Sequence, residues 1–113
     1  AIQQLTTGSR RERLLYAASL ASKGEYVEET LVLWASWWRD VLLVQHNCPQ
    51  AITHIDHQEI ITREARRFLS AEVHLFLRGL AETRQHLERN VNIQLALEAL
   101  LLHLPRPQPQ VAA

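Results

Sequence analysis

Four side chains of zinc-compatible type lie near one another in this chain: His46, Cys48, His54 and His57. Imidazole nitrogen and thiolate sulfur are common ligands of that ion. Their spacing matches no zinc finger, and the loop between them would have to wrap around the metal. The plainer reading makes His54 and His57 loop and first-turn residues on either side of Asp56, so no metal site is expected. The sequence holds no GxxxxGK[ST] phosphate loop and no GxGxxG turn. It also lacks GxSxG, HExxH and CxxC. No catalytic residue and no cofactor is assigned, and the chain is not expected to be an enzyme.

Arginines form two clusters, Arg10, Arg11 and Arg13, then Arg63, Arg66 and Arg67. Twelve basic and twelve acidic residues cancel, whereas a dedicated nucleic-acid binder needs a net basic face. No aromatic stacking platforms are interleaved with the arginines. Solvated helix faces, with Glu12 and Glu64 as neighbours, are the simpler reading, and direct DNA contact is not expected. Trp34, Trp37 and Trp38 sit at helical spacing, where tryptophans serve as core or as interface anchors. Trp34 and Trp38 are read as core, and Trp37 is left open to an interface. Arg39 and Asp40 fit either internal ion pairs with neighbouring helices or a subunit contact.

These residues need a scaffold, and the scaffold reads as all-α. Strand-type alternation is absent, and only three glycines and four prolines interrupt the chain. The periodicity predicts a five-helix bundle over residues 9–104. Residues 1–8 read as a linker remnant and 105–113 as a Pro-rich disordered tail. Ser9 and Glu12 form a capping box for the first helix, whose apolar face would be Leu14, Ala18 and Ala21 with Leu15, ending at Gly24. Arg10, Arg11 and Arg13 then stand at the positive end of the helix dipole, where acids are preferred. Either the helix begins upstream near Leu5 or those arginines serve a partner.

The second helix, about Tyr26 to His46, carries the stripe Val27, Leu31, Trp34, Trp38 and Val41, with Leu33, Trp37 and Val44 beside it. It is the central helix, and Asn47-Cys48-Pro49 ends it. Asp56 and Glu59 suggest a second capping box before a third helix with Ile60, Ile61, Ala65, Phe68 and Leu69 inside and Glu64 outside. Ser70 reads as the N-cap of a fourth helix to about Arg89, although the third and fourth could be one bent helix. Asn90 suits the end of that helix and Asn92 the cap of a fifth. From Leu95 to Leu104 the last helix is apolar nearly all round, so it should be buried nearly all round or shared with another chain. Pro105 stops it.

One cysteine cannot make an internal disulfide, so a reducing, cytoplasmic setting is expected. The longest apolar run is too short and too interrupted to span a bilayer. The chain begins without Met and is read as an excised piece of a longer protein.

Two segments resemble a known family. Trp37-Trp38-Arg39-Asp40-Val41-Leu42-Leu43 is one. The other is Asn90-Val91-Asn92 leading into Leu95-Ala96-Leu97-Glu98 and Leu100-Leu101-Leu102. Together they resemble the C-terminal collar domain of bacterial DNA polymerase III clamp-loader subunits, most closely the delta prime branch, with gamma/tau next. The likeness runs from about Ser9 to Leu104. Many members carry Arg where this chain has Gln94. The resemblance implies a non-catalytic assembly domain, with ATPase-fold domains elsewhere in the parent protein. It implies packing with the third domains of the gamma/tau and delta subunits into a collar that supports ATP-driven loading of the sliding clamp during DNA replication. The expected subunit interface is Trp37, Arg39, Arg63, Arg66, Arg67 and Leu101. A free-standing helical regulatory or dimerisation domain is the alternative.

Overall fold

The computed structural model describes residues 2–89 and 92–108. Among them are six α-helices and no strand: α1 (Ile2–Thr7), α2 (Arg10–Ala21), α3 (Tyr26–Gln45), α4 (Gln58–Arg67), α5 (Ser70–Glu88) and α6 (Ile93–Leu102). Two 3-10 turns, Pro49–Ala51 and Ile55–His57, fill the connection between α3 and α4. The all-α bundle expected from periodicity is present. It has one helix more than expected, because residues 2–7 are helical where a linker was read.

Helices α2, α6, α5 and α3 close a ring of neighbours around one core. α2 packs on α6, α6 on α5, and α5 on α3, while α2 meets α3 more loosely. α3 and α6 therefore stand at opposite corners of the bundle. α4 lies against α3 alone among the helices it packs with extensively.

The centre is aromatic. Trp38 is 2% exposed and meets Phe68 at 5.1 Å and Phe76 at 5.9 Å, both edge-on. Such pairs add about 0.5–1.5 kcal/mol beyond their area burial. Tyr16 of α2 leans on Trp34 with ring centroids 6.0 Å apart. All five members of the expected α3 stripe are buried.

The helix ends follow local chemistry. Ser9 Oγ accepts from Glu12 N at 3.1 Å, so the first capping residue is as expected. α3 ends in a Schellman arrangement: Asn47 takes a left-handed φ of 62°, Asn47 N donates to Val44 O, and Cys48 N to Leu43 O. That conformation is tolerable for Asn and poor for most other residues. Asn92 caps α6, its Oδ1 accepting from Leu95 N at 3.0 Å. The reading of Asn90 lies outside the described residues.

Other boundaries differ from expectation. Asp56 does not cap α4; it sits inside the Ile55–His57 turn, and α4 begins at Gln58 without a side-chain cap. Phe68 and Leu69 are extended, so α4 and α5 are two helices and not one bent helix. Leu69, not Ser70, precedes the first turn of α5. Of the segment expected as a disordered tail, Pro105 is buried and Arg106 and Gln108 are exposed, and Gln108 N donates to Arg67 O at 2.6 Å.

Candidate interaction surface

The basic residue with the most consequence is Arg13, and it is not on the surface. The expected face of α2 was Leu14, Ala18 and Ala21 with Leu15. The buried residues are instead Arg13, Ala17 and Leu20, and Leu15 is 61% exposed. Arg13 is fully buried. Its Nε donates to Leu5 O at 3.0 Å, one Nη to Thr6 O at 3.0 Å, and the other to Leu101 O at 3.4 Å. These carbonyls belong to the last turns of α1 and α6, at the negative ends of two helix dipoles; Leu5 O also accepts from Gly8 N at 3.1 Å and Leu101 O from Leu104 N at 3.3 Å, so the guanidinium adds a second donor at each. A planar guanidinium with five N–H groups can serve all three at once.

This explains both sequence puzzles at the N-terminus. The arginine at the wrong end of its own helix dipole stands at the right end of two others. Helix α1 is tied down because Leu5 and Thr6 are held by it and buried. Burial lowers the Arg13 pKa from its ordinary value, and the nearby Arg106 charge lowers it further. Arg10 and Arg11 are exposed.

Asp40 is the second buried charge. Its Oδ1 accepts from Thr53 N at 2.9 Å and its Oδ2 from His54 N at 2.8 Å. The side chain is fully buried, so it fastens the connection after α3 onto the helix and is neither an exposed subunit contact nor, among the described residues, part of an ion pair with a neighbouring helix. The same loop is held by Ser36 Oγ against His54 Nε2 at 2.9 Å. Trp37 lies under that loop, half-buried, with His54 and His57 rings 5.8 and 6.2 Å away.

The four zinc-compatible side chains are thus used separately. His54 and His57 pack on Trp37, His46 meets the His74 ring at 5.8 Å, and Cys48 Sγ lies 3.6 Å from His46 O. Among the described residues no three His, Cys, Asp or Glu side chains are grouped to hold a metal.

The six expected interface residues are scattered. Arg39, Arg63 and Arg66 are exposed, and Trp37 keeps part of its ring at the surface. Arg67 is partly buried and grips both oxygens of Glu64 at 3.1 Å. Glu64, expected to face out, is only 8% exposed. Leu101 is fully buried and is a core residue, not an interface residue. The helical wheel explains the error, since Leu97, Leu100 and Leu101 share the inward face of α6, and Leu104 just beyond it is buried too.

The apolar residues left outside tell a different story. On α6, Leu95 remains 62% exposed, and on neighbouring α5 Leu75 is 66% exposed. Between the two helices runs a groove of about 730 Å³ whose lining includes Leu75, Phe76, Gly79, Ala99 and Leu102. On the opposite corner of the bundle, Tyr26, Val32 and Leu33 of α3 are 56%, 44% and 57% exposed. The loop over Trp37 covers the second half of α3 and leaves this first half open. Single exposed apolar residues are ordinary, but grouped ones mark contact surfaces.

Residues 1–106 match the protein family described as DNA polymerase III, delta subunit, C terminal. The chain belongs to this family. No curated protein and no solved structure matches it. The family match makes the chain the C-terminal domain of a clamp-loader subunit. For a delta-family C-terminal domain, the matched span is physically sensible. It takes in α1 and α6, the two helices whose ends Arg13 ties together at one end of the bundle. Sequence reasoning missed Arg13 and Asp40, and it missed the α5–α6 groove. The signal for Arg13 was there, as a basic residue conflicting with its own helix dipole.

Proposed function

We propose that this domain is the assembly module of a delta prime type clamp-loader subunit. It packs with the C-terminal domains of gamma/tau and delta and holds them as a collar while ATPase-fold domains elsewhere load the sliding clamp in the cytoplasm. It performs no catalysis and takes no cofactor. The family match over residues 1–106 carries this reading. The exposed apolar side chains on opposite corners of the bundle support it. So does the use made of its buried charges, since Arg13 and Asp40 are engaged with backbone groups. The segments Trp37–Leu43 and Leu95–Leu102 favour the delta prime branch.

The test is molar mass by light scattering after size exclusion, with the chain alone and mixed with the C-terminal domain of gamma/tau from the same organism. A new species at the summed mass is expected, with no ATP hydrolysis by the chain. A higher-order species formed by the chain alone would favour the gamma/tau branch instead. Two unmixed monomers would refute an assembly role carried by this domain.

A further inference from the structure

Two histidines from different helices meet at the surface with their ring nitrogens uncommitted. His46 closes α3, its N–H donating to Leu42 O at 3.0 Å. His74 stands at the start of the second turn of α5. Their ring centroids are 5.8 Å apart and the planes are inclined by 64°. Both residues are exposed, and neither ring has a hydrogen-bond partner among the described residues. Elsewhere the imidazoles are engaged: His54 Nε2 lies 2.9 Å from Ser36 Oγ, and His103 Nδ1 lies 2.8 Å from Ala99 O.

We propose that His46 and His74 together bind a divalent late transition ion, of the nickel, copper and zinc class, with water completing its coordination. Neutral imidazole is a good ligand for these ions. With metal–nitrogen bonds of about 2.0–2.1 Å and a tetrahedral angle, two ligating imidazoles have their centroids about 5 Å apart. The observed 5.8 Å is close to that separation, so small side-chain rotations bring one nitrogen of each ring onto a shared ion.

The backbones beneath the two rings are fixed in advance. Trp38 of α3 packs edge-on against Phe76 of α5 at 5.9 Å, which joins the two helices. His46 directly precedes Asn47, whose left-handed φ of 62° locks the end of α3. A pair of ligands held on rigid elements loses little freedom on binding. Cys48, two residues on, is not a ligand: its Sγ lies against His46 O at 3.6 Å, and no third metal-binding side chain joins the group. Arg78, one turn beyond His74, is exposed and lines the α5–α6 groove instead. The ion is therefore a clasp between α3 and α5 and takes no part in chemistry. It favours the folded chain, because only the fold holds these two rings side by side.

The test is calorimetric titration of the untagged 113-residue chain with nickel chloride, and thermal melts with and without the ion. One ion per chain is expected, with a melting temperature several degrees higher at saturating nickel. His46→Ala and His74→Ala are each expected to weaken binding at least tenfold and to remove the thermal shift, because either loss leaves a single ring. Cys48→Ser and His57→Ala are expected to bind within twofold of wild type. Both ligand residues are exposed, so their variants should melt like wild type without metal; His46→Gln and His74→Gln replace any alanine variant that does not. Paramagnetic resonance of the copper(II) form should show coupling to two imidazole nitrogens. Wild-type binding no tighter than that of the two single variants would overturn the site, as would copper coupling to one nitrogen alone. A tenfold loss in Cys48→Ser would make the site a thiolate one and overturn the two-imidazole assignment.

Discussion

Replacing Arg13 should cost more than replacing any other basic residue of the domain. The side chain makes two good charge-assisted hydrogen bonds, at 3.0 Å to Leu5 O and Thr6 O, and a longer one at 3.4 Å to Leu101 O. A hydrogen bond to a charged group contributes about 1.5–3 kcal/mol, while Leu5 O and Leu101 O keep Gly8 N and Leu104 N as donors when the guanidinium is removed. Against this stands the desolvation of a buried guanidinium, offset only partly by carbonyl dipoles. Two good bonds at the low end of the range leave about 3 kcal/mol for Arg13→Met. Methionine keeps the apolar stem, so the loss isolates the polar head. Arg13→Lys keeps the charge but reaches fewer carbonyls, because an ammonium lacks the planar fork, and about half the loss is expected.

Urea denaturation followed by tryptophan fluorescence reads this directly. With a slope of about 2 kcal/mol/M for a domain of this size, 3 kcal/mol lowers the midpoint by about 1.5 M. Hydrogen exchange at residues 5–7 should rise at the same time, because α1 loses its fastening. Arg10→Met and Arg11→Met, at exposed positions, should stay within about 0.5 kcal/mol. An Arg13→Met variant within that same margin would refute the reasoning. It would mean that desolvation cancels the carbonyl bonds, and that α1 is held by Leu5 packing alone.

Three further outcomes follow from single residues. Asp40→Ala strips Thr53 N and His54 N of their acceptors and should lower stability by about 2–4 kcal/mol, with faster amide exchange at 53 and 54; Asp40→Asn, with one acceptor oxygen, should fall between. Gly79→Ala should stabilise the chain by about 0.5–1 kcal/mol in denaturant melts, since an added Cβ meets Leu100 Cδ1 at an ordinary 3.5 Å; a lower midpoint would mean that α5 and α6 cannot yield there. Burial raises the Tyr16 pKa, so the unfolded chain loses that proton first. The stability Tyr16 contributes is complete below about pH 10 and lost as pH rises through its folded pKa; denaturation midpoints from pH 9 to 11.5 should therefore fall less steeply for Tyr16→Phe than for wild type.

Much of the helical frame was legible because helical period and caps act locally. The α3 stripe, the Ser9 and Asn92 caps and the stop at Asn47 each depend on residues within one or two turns. The α2 face was misread because apolarity alone was used to orient it. Leu15 faces water and Arg13 faces the core, since the acceptors that pay for burying a guanidinium come from α1 and α6. Leu101 lies 88 residues from Arg13 in the chain, and no local pattern announces that meeting. Asp40 was misread for the same reason, its partners being backbone N–H groups that are indistinguishable in a sequence. The last helix carried an ambiguity of another kind. Its composition said that every side wants cover, but composition cannot say which side the chain itself supplies. The fold assigns Leu97, Leu100, Leu101 and Leu104 to the interior, leaves Leu95 exposed, and sets Ala99 and Leu102 at the groove. The apolar character of the last helix was therefore legible while Leu101 was placed on the wrong side of it, because two adjacent leucines point in directions about 100° apart on a helix.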